Sequence, residues 1–222
     1  LGDGRAHIEA RAADAKADRL ESNARNRDLA VMPSDASAYF TGRLLVAMPG
    51  IEDPRFERSV ILLCAHDGAH AMGITINRPV EGLTVSHLLK QLGVVPAPGA
   101  PDDLVLMGGP VETERGFVLH TNDHAGPAAG LDIGGGVSLT ATREVLEALA
   151  GRAVRPRRAA MALGYAGWDA GQLEREIRES VWLTCEADEG LLFDDDHEHK
   201  WSRALAKIGI AAAHLSAVGG RA

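Results

Sequence analysis

Cysteine is scarce in this 222-residue chain: Cys64 and Cys185 are its two thiols, each inside an apolar run. That scarcity excludes a disulfide framework and a multi-cysteine zinc cage. The pair reads as two reduced core thiols, with a redox couple as the alternative, and no Cys-x-x-Cys spacing lowers either pKa. Positive charge is short as well. Lys and Arg number 23 against 31 Asp and Glu, giving a net charge of -8 and a pI near 5.6, which opposes a general attraction to nucleic acid or anionic membrane. No apolar run approaches the roughly 18 to 20 residues needed to span a bilayer, and the first residues lack a signal-peptide hydrophobic region. A cytoplasmic location is therefore expected, with no membrane partner.

Catalytic signatures are missing too. The sequence has no Gly-x-Ser-x-Gly elbow, no His-Glu-x-x-His and no calcium-loop pattern, and its nine histidines have no nucleophile beside them in sequence. Gly134-Gly135-Gly136 lacks the strand-then-helix context of a nucleotide fingerprint. No catalytic residue, no metal ligand and no cofactor is nominated.

What is present divides unevenly. Residues 1–36 are rich in Ala, Arg, Asp and Glu, with Ile8, Leu20, Leu29 and Val31 too sparse for a continuous apolar stripe. They are expected to form a mobile N-terminal extension, with Met32 as a possible true start, because so little burial cannot offset ordering entropy. Residues 37–222 are expected to form one domain: 45% hydrophobic content is ample for a core burying about 70% of the unfolded surface.

Within that body, the runs at Leu44–Met48, Ser59–Ala65, Met72–Ile76, Leu104–Met107, Gly116–His120, Val137–Leu139 and Arg157–Gly164 read as strands. His66 to His70 suits a hairpin loop. Thr84 caps a helix carrying Val85, Leu88, Leu89 and Leu92 and stopped by Gly93, and Thr140 or Thr142 caps a second with Val145, Leu146 and Leu149. Gly164 to Trp168 reads as a tight corner. A capping box of Asp169 with Gln172 then opens a third helix, with Leu173, Ile177 and Val181 on its buried side and Glu174 with Arg178 on its wet side. Thr121 to Gly136 reads as a surface loop, Trp182 to Thr184 as a strand and His199 to Ile208 as the last helix. Helices and strands alternate irregularly and at least one hairpin is present, so an α+β fold is favoured over a doubly wound parallel sheet.

Candidate functional positions are few, and each has a structural reading beside it. Asn77-Arg78-Pro79 is a donor-rich strand exit that could line a cleft, or a turn in which Asn satisfies its own backbone. Gly108-Gly109-Pro110 could present backbone N–H groups to an anion, or simply join two strands. His120, Tyr165 and Gln172 could converge with Asn77 and Arg78 after folding, and Trp168 either marks a partner surface or packs on the helix it precedes. Arg152, Arg155, Arg157 and Arg158 are one basic cluster without interleaved aromatics, which makes direct nucleic-acid binding unlikely. Asp194 to His199 offers carboxylates and imidazoles, but reads as a solvated helix start because His197 and His199 diverge on a helix.

With those motifs assembled, the chain resembles the YqgE/AlgH family of bacterial proteins. The resemblance rests on Gly42 to Pro49 with Asp53-Pro54 and Phe56, Arg58-Ser59-Val60, Ala71-Met72-Gly73 through Asn77-Arg78-Pro79, and Gly108 to Val111. Arg115 to His120, Gly164 to Trp168 with Gly171 to Glu174, Trp182, Leu192-Phe193-Asp194 and Trp201 complete it. It implies a bifurcated, largely antiparallel or mixed β-sheet curled into a pseudo-barrel with surrounding helices, and a cytosolic location. A label of transcriptional regulator travels with part of the family, which supplies no accepted catalytic residues. The expected function is a non-enzymatic regulatory or interaction protein with an unknown protein or small molecule as partner. The alternative is a small-molecule binder or enzyme whose site assembles only in the fold.

Overall fold

The computed structural model describes residues 39–100, 102–123 and 130–215, so the expected extension over residues 1–36 lies outside the described residues. Ten strands form one sheet: β1 (Arg43–Ala47), β2 (Val60–His66), β3 (His70–Thr75), β4 (Pro79–Thr84), β5 (Leu104–Met107), β6 (Val111–Thr121), β7 (Leu131–Gly134), β8 (Val137–Thr140), β9 (Ala159–Asp169) and β10 (Trp182–Glu186). Five helices accompany them: α1 (Val85–Gln91), α2 (Arg143–Leu149), α3 (Gln172–Arg178), α4 (Glu189–Leu192) and α5 (Lys200–Lys207). The main path runs β10-β1-β2-β3-β9-β6-β8-β7, and the sheet curls into a half-barrel of α+β class. The curl brings β7, one end of that path, near β1 at the other side, for a Cβ on Gly42 beside β1 would stand 3.0 Å from the Ile133 carbonyl of β7.

Strand alternation explains why both faces are dry. Val60, Leu62 and Cys64 of β2 face one apolar cluster with Trp201 and Leu205 of α5, while Ile61 and Leu63 face another with Trp168, Trp182 and Leu173 of α3. A third cluster joins α1 and α2 to Val105, Val118 and Met161. β9 supplies all three, through Ala162, Met161 and Ala166 with Trp168. The thiols are free and buried. Cys185 lies opposite Leu44, which lies opposite Leu62, so Cys64 and Cys185 are two strands apart, about 10 Å, beyond disulfide reach.

The sheet divides at β9. One edge of β9 pairs with β3 through Ala166 to Asp169 and with β5, in parallel, through Ala162 and Leu163; the other edge pairs with β6. The chain from β5 to β6 must therefore pass across β9, and Gly108 and Gly109 do so. A Cβ on Gly108 would lie 2.3 Å from the Gly164 carbonyl oxygen, and one on Gly109 2.1 Å from the Tyr165 carbonyl carbon. Gly164 itself has φ +70° with the Gly109 oxygen 2.5 Å from its own would-be Cβ. Three glycines thus let backbone touch backbone. Gly108 also ties the two branches, its N–H donating to the Leu163 carbonyl at 2.8 Å and its carbonyl accepting from Thr75 N–H at 2.8 Å.

Several expectations are corrected by this arrangement. Gly164 to Trp168 is no corner: these residues continue β9 to Asp169, with the bend absorbed at Gly164 inside the strand. The third helix is capped by Gly171 in the left-handed conformation, and the Asp169 box is half-made, with Asp169 N–H donating to Gln172 Oε1 at 3.1 Å. Residues 131–134 are strand where a loop was expected, and β4 and α4 carry too few apolar residues to be read from sequence. Replacing Gly108 by Ala is expected to cost about 3 kcal/mol or more, since the obstacle is backbone that cannot step aside. Gly134→Ala, at φ +89° but with open space around it, should cost about 1 kcal/mol; urea denaturation of both variants checks the contrast.

Candidate functional site

The sequence-nominated residues occupy separate places. Asn77 closes the β3 exit, its Oδ1 accepting from Val60 N–H at 2.8 Å and its Nδ2 donating to the Arg58 carbonyl at 2.9 Å. Arg78 donates through Nε to Ser59 Oγ at 3.0 Å and through Nη2 to the Glu57 carbonyl. Gly108 and Gly109 fill the crossing, with Pro110 following them into β6. His120 is buried in β6; its Nδ1 lies 3.0 Å from the Thr121 carbonyl and so carries the neutral ring's proton, leaving Nε2 to accept from Thr140 Oγ1 at 2.8 Å. Tyr165 sits edge-on to Phe117, ring centroids 6.0 Å apart, and its phenol pKa is pushed up by burial and then by the Glu112 charge. Gly109 lies against Tyr165 at the crossing, and none of the nine lines the cavity walled by β5 and the entry to β9.

Trp168 and Gln172 do meet, at a residue that sequence reading passed over. Glu176, one turn into α3, accepts from the indole Nε1 of Trp168 at 2.9 Å and of Trp182 at 2.8 Å on one oxygen, and from Gln172 Nε2 at 2.8 Å on the other. The indoles stand edge-to-face, 6.1 Å apart. Burying two indoles requires a partner for each N–H, and a single carboxylate serves both. Beside it, Glu174 bonds His66 Nε2 at 3.1 Å in place of the expected Arg178, and Phe40 N–H donates to His66 Nδ1 at 3.0 Å. This corner is a satisfied, closed network.

Open, polar space lies elsewhere. A cavity of about 380 Å³ is walled by β5 (Leu104, Leu106), the entry to β9 (Arg155 to Ala160) and the chain from Leu192 to Lys200. It joins the two segments that the sequence set aside, the arginine cluster and the Asp194–His199 run. At its floor Lys200 is fully buried, with Nζ donating to the Ile76 carbonyl at 2.9 Å and the Leu192 carbonyl at 3.3 Å. Burial pushes the Lys200 pKa down to about 8, with Asp194 and Asp195 opposing. His197 is half-buried on the same wall, and its pKa is lowered by burial and then by the Lys200 charge.

Arg155 donates through Nη2 to Asp103 at 3.3 Å, and its Nη1 is enclosed and without a partner among the described residues. The Ile76 carbonyl bonds His197 and opposes the lowering of its pKa. The remaining charges are mostly matched: Arg157 makes a two-pronged pair with Glu189 at 2.8 and 2.6 Å, and Asp194 pairs with Arg203 at 2.8 Å. Arg152 donates to the Val95 carbonyl. Three of the four clustered arginines are thus engaged by the fold, which weighs against their gripping a phosphate backbone. Among the described residues no group of three His, Cys, Asp or Glu side chains is placed to hold a metal ion, and no helix is long and apolar enough to cross a membrane.

Fold and cleft define a curled-sheet α+β protein whose sheet forks at a glycine crossing and whose flank carries a charged cavity. The AlgH-like family model (DUF179) matches residues 44–213, and the chain belongs to that family. A UPF0301 protein of Caulobacter vibrioides is 63% identical over 192 residues, 86% of this chain and 98% of that protein; one from Methylocella silvestris is 53% identical over 186 residues, covering 81% and 90%. The solution structure of the AlgH protein from Pseudomonas aeruginosa matches with a TM-score of 0.67 at 38% identity, over 86% of this chain and all of that one. A crystal structure of a Corynebacterium diphtheriae protein, at 18% identity and TM-score 0.60 over 76% and 87% of the two chains, shares the fold.

Two predictions come from these networks. Glu176→Ala leaves two indole N–H groups without an acceptor and should lower stability by about 3 kcal/mol, with loss of the tryptophan near-ultraviolet circular dichroism. For Lys200, the folded pKa lies below the unfolded value of 10.5. Between pH 8 and 10.5 the unfolded chain therefore holds a proton that the folded chain has released, and stability rises with pH at up to about 1.4 kcal/mol per unit. Lys200→Met should remove that contribution, seen as a smaller alkaline slope in urea melts at pH 7 to 10.

Proposed function

We propose that this chain is a non-enzymatic regulatory protein of the cytosol whose input is a small polar molecule bound in the cavity beside Lys200. The observation that carries this reading is one cavity whose lining brings together Arg155, Arg158, His197 and Lys200. The volume, about 380 Å³, falls within the range of small-molecule sites. The reading merges the two expectations drawn from sequence: the binding site assembles only in the fold, and its residues are not those nominated from motifs. A binding role is favoured over turnover because the nearest amine, Lys200, is held by two carbonyls and no Ser, Thr, Cys or Tyr lines the cavity. The cytosolic location is supported by two free, buried thiols.

Thermal-shift screening against fractionated small molecules from a bacterial cytosol tests the proposal. At least one fraction should raise the melting temperature by about 2 °C or more for the native chain but not for Ala160→Leu, which narrows the cavity, and the active compound should be recovered chemically unchanged. A shift that survives Ala160→Leu, or no shift from any fraction, refutes the binding reading; a compound returned altered refutes the non-enzymatic half.

A further inference from the structure

The charges around the cavity carry more than the fact of binding. Once Arg155 with Asp103, Arg157 with Glu189 and Asp194 with Arg203 are set against each other, three charged groups on the wall remain. Arg158 and Lys200 are positive and Asp195 is negative. The Arg158 guanidinium makes no hydrogen bond among the described residues, its charge acting on Glu189, which Arg157 already grips, and Lys200 Nζ meets neutral carbonyls rather than a carboxylate. A net positive remainder is thus concentrated in one cleft of a chain whose overall charge is -8. Such a site gathers anions locally against the sign of the whole molecule.

Geometry sharpens the point. Arg155 pairs with Asp103 at 3.3 Å while its side chain stays 26% exposed, and a guanidinium presents its donors in a planar fork suited to two oxygens of one anion. We infer that the cavity takes a small molecule through an anionic group, a carboxylate or a phosphate, received by Arg155 and Arg158, with Lys200 a further positive charge among the lining residues. The inference rests on the binding reading above and narrows its ligand class. Asp195 is the remaining counter-charge among the lining residues.

The test uses inorganic phosphate and succinate as separate probes on the whole chain, followed by arginine Nε–Hε nuclear magnetic resonance and isothermal titration. One probe should bind saturably with the Arg155 signal moving most, identifying the phosphate or the carboxylate source. Affinity should fall tenfold or more in Arg155→Met, less in Arg155→Lys, and threefold or more in Arg158→Gln, while Arg143→Gln, a surface arginine paired with Glu147, leaves it unchanged. Added salt should weaken the binding. If neither anion binds, or if Arg155→Met binds as well as the native chain while remaining folded by circular dichroism, the anion assignment is overturned. In that case a cytosolic fraction that still stabilises the native chain and not Ala160→Leu would leave the cavity in use by an uncharged ligand, whereas loss of both responses would remove the cavity reading itself.

Discussion

Backbone contact at one crossing sets the architecture. Because Gly108 and Gly109 pass over Gly164 and Tyr165 with no space for a Cβ, the chain can leave one edge of β9 as β5 and return along the other as β6. The same residues supply the hydrogen bonds that join the two branches, to Leu163 and from Thr75. Everything built on the fork inherits its position from there. Ile76, next to Thr75, supplies the carbonyl that holds Lys200, so the cavity floor is anchored one residue from the point where the branches meet.

Closed and open polar networks lie on different clusters of the same sheet. Around Glu176, three N–H donors converge on one carboxylate and no buried donor is left over, which makes the Trp168 region a rigid brace between α3, β9 and β10. Around Lys200 the opposite holds. The amine reaches two carbonyls and no carboxylate, and Arg155 and Arg158 line the same hollow. Satisfied networks favour a single shape, whereas a hollow lined by charge favours an occupant of the opposite sign.

Sequence alone carried the strands that are continuous apolar runs, such as Val60 to Cys64, and the helix opened by Thr84, whose Oγ1 accepts from His87 N–H. It carried the family and the α+β class as well. Gly108-Gly109-Pro110 was legible as a connection between strands, but not as a crossing, because the obstacle at Gly164 is 55 residues or so further along and nothing local records it. Glu176 was invisible for a related reason: on α3 it has the pattern of any wet-side charge, and its indole partners come from two other strands. The cavity was hidden most completely. Its arginines and its acid-histidine run were each visible as clusters, and each alone is better explained by solvent; only the meeting of the β9 entry with the α5 entry gives them a shared hollow.

The central position of β9 has a consequence for how the polypeptide is made. It is the ninth strand in chain order, yet it lies between β3 and β6 and also receives β5. On a ribosome, eight earlier strands emerge before the segment that unites them, and until then β3 and β6 each present an unpaired edge. Synthesis at about 5 to 20 residues per second leaves that interval open for seconds, long enough for stray pairing with a neighbouring nascent chain. The chain order thus places the strand that joins both branches after the edges it must cover.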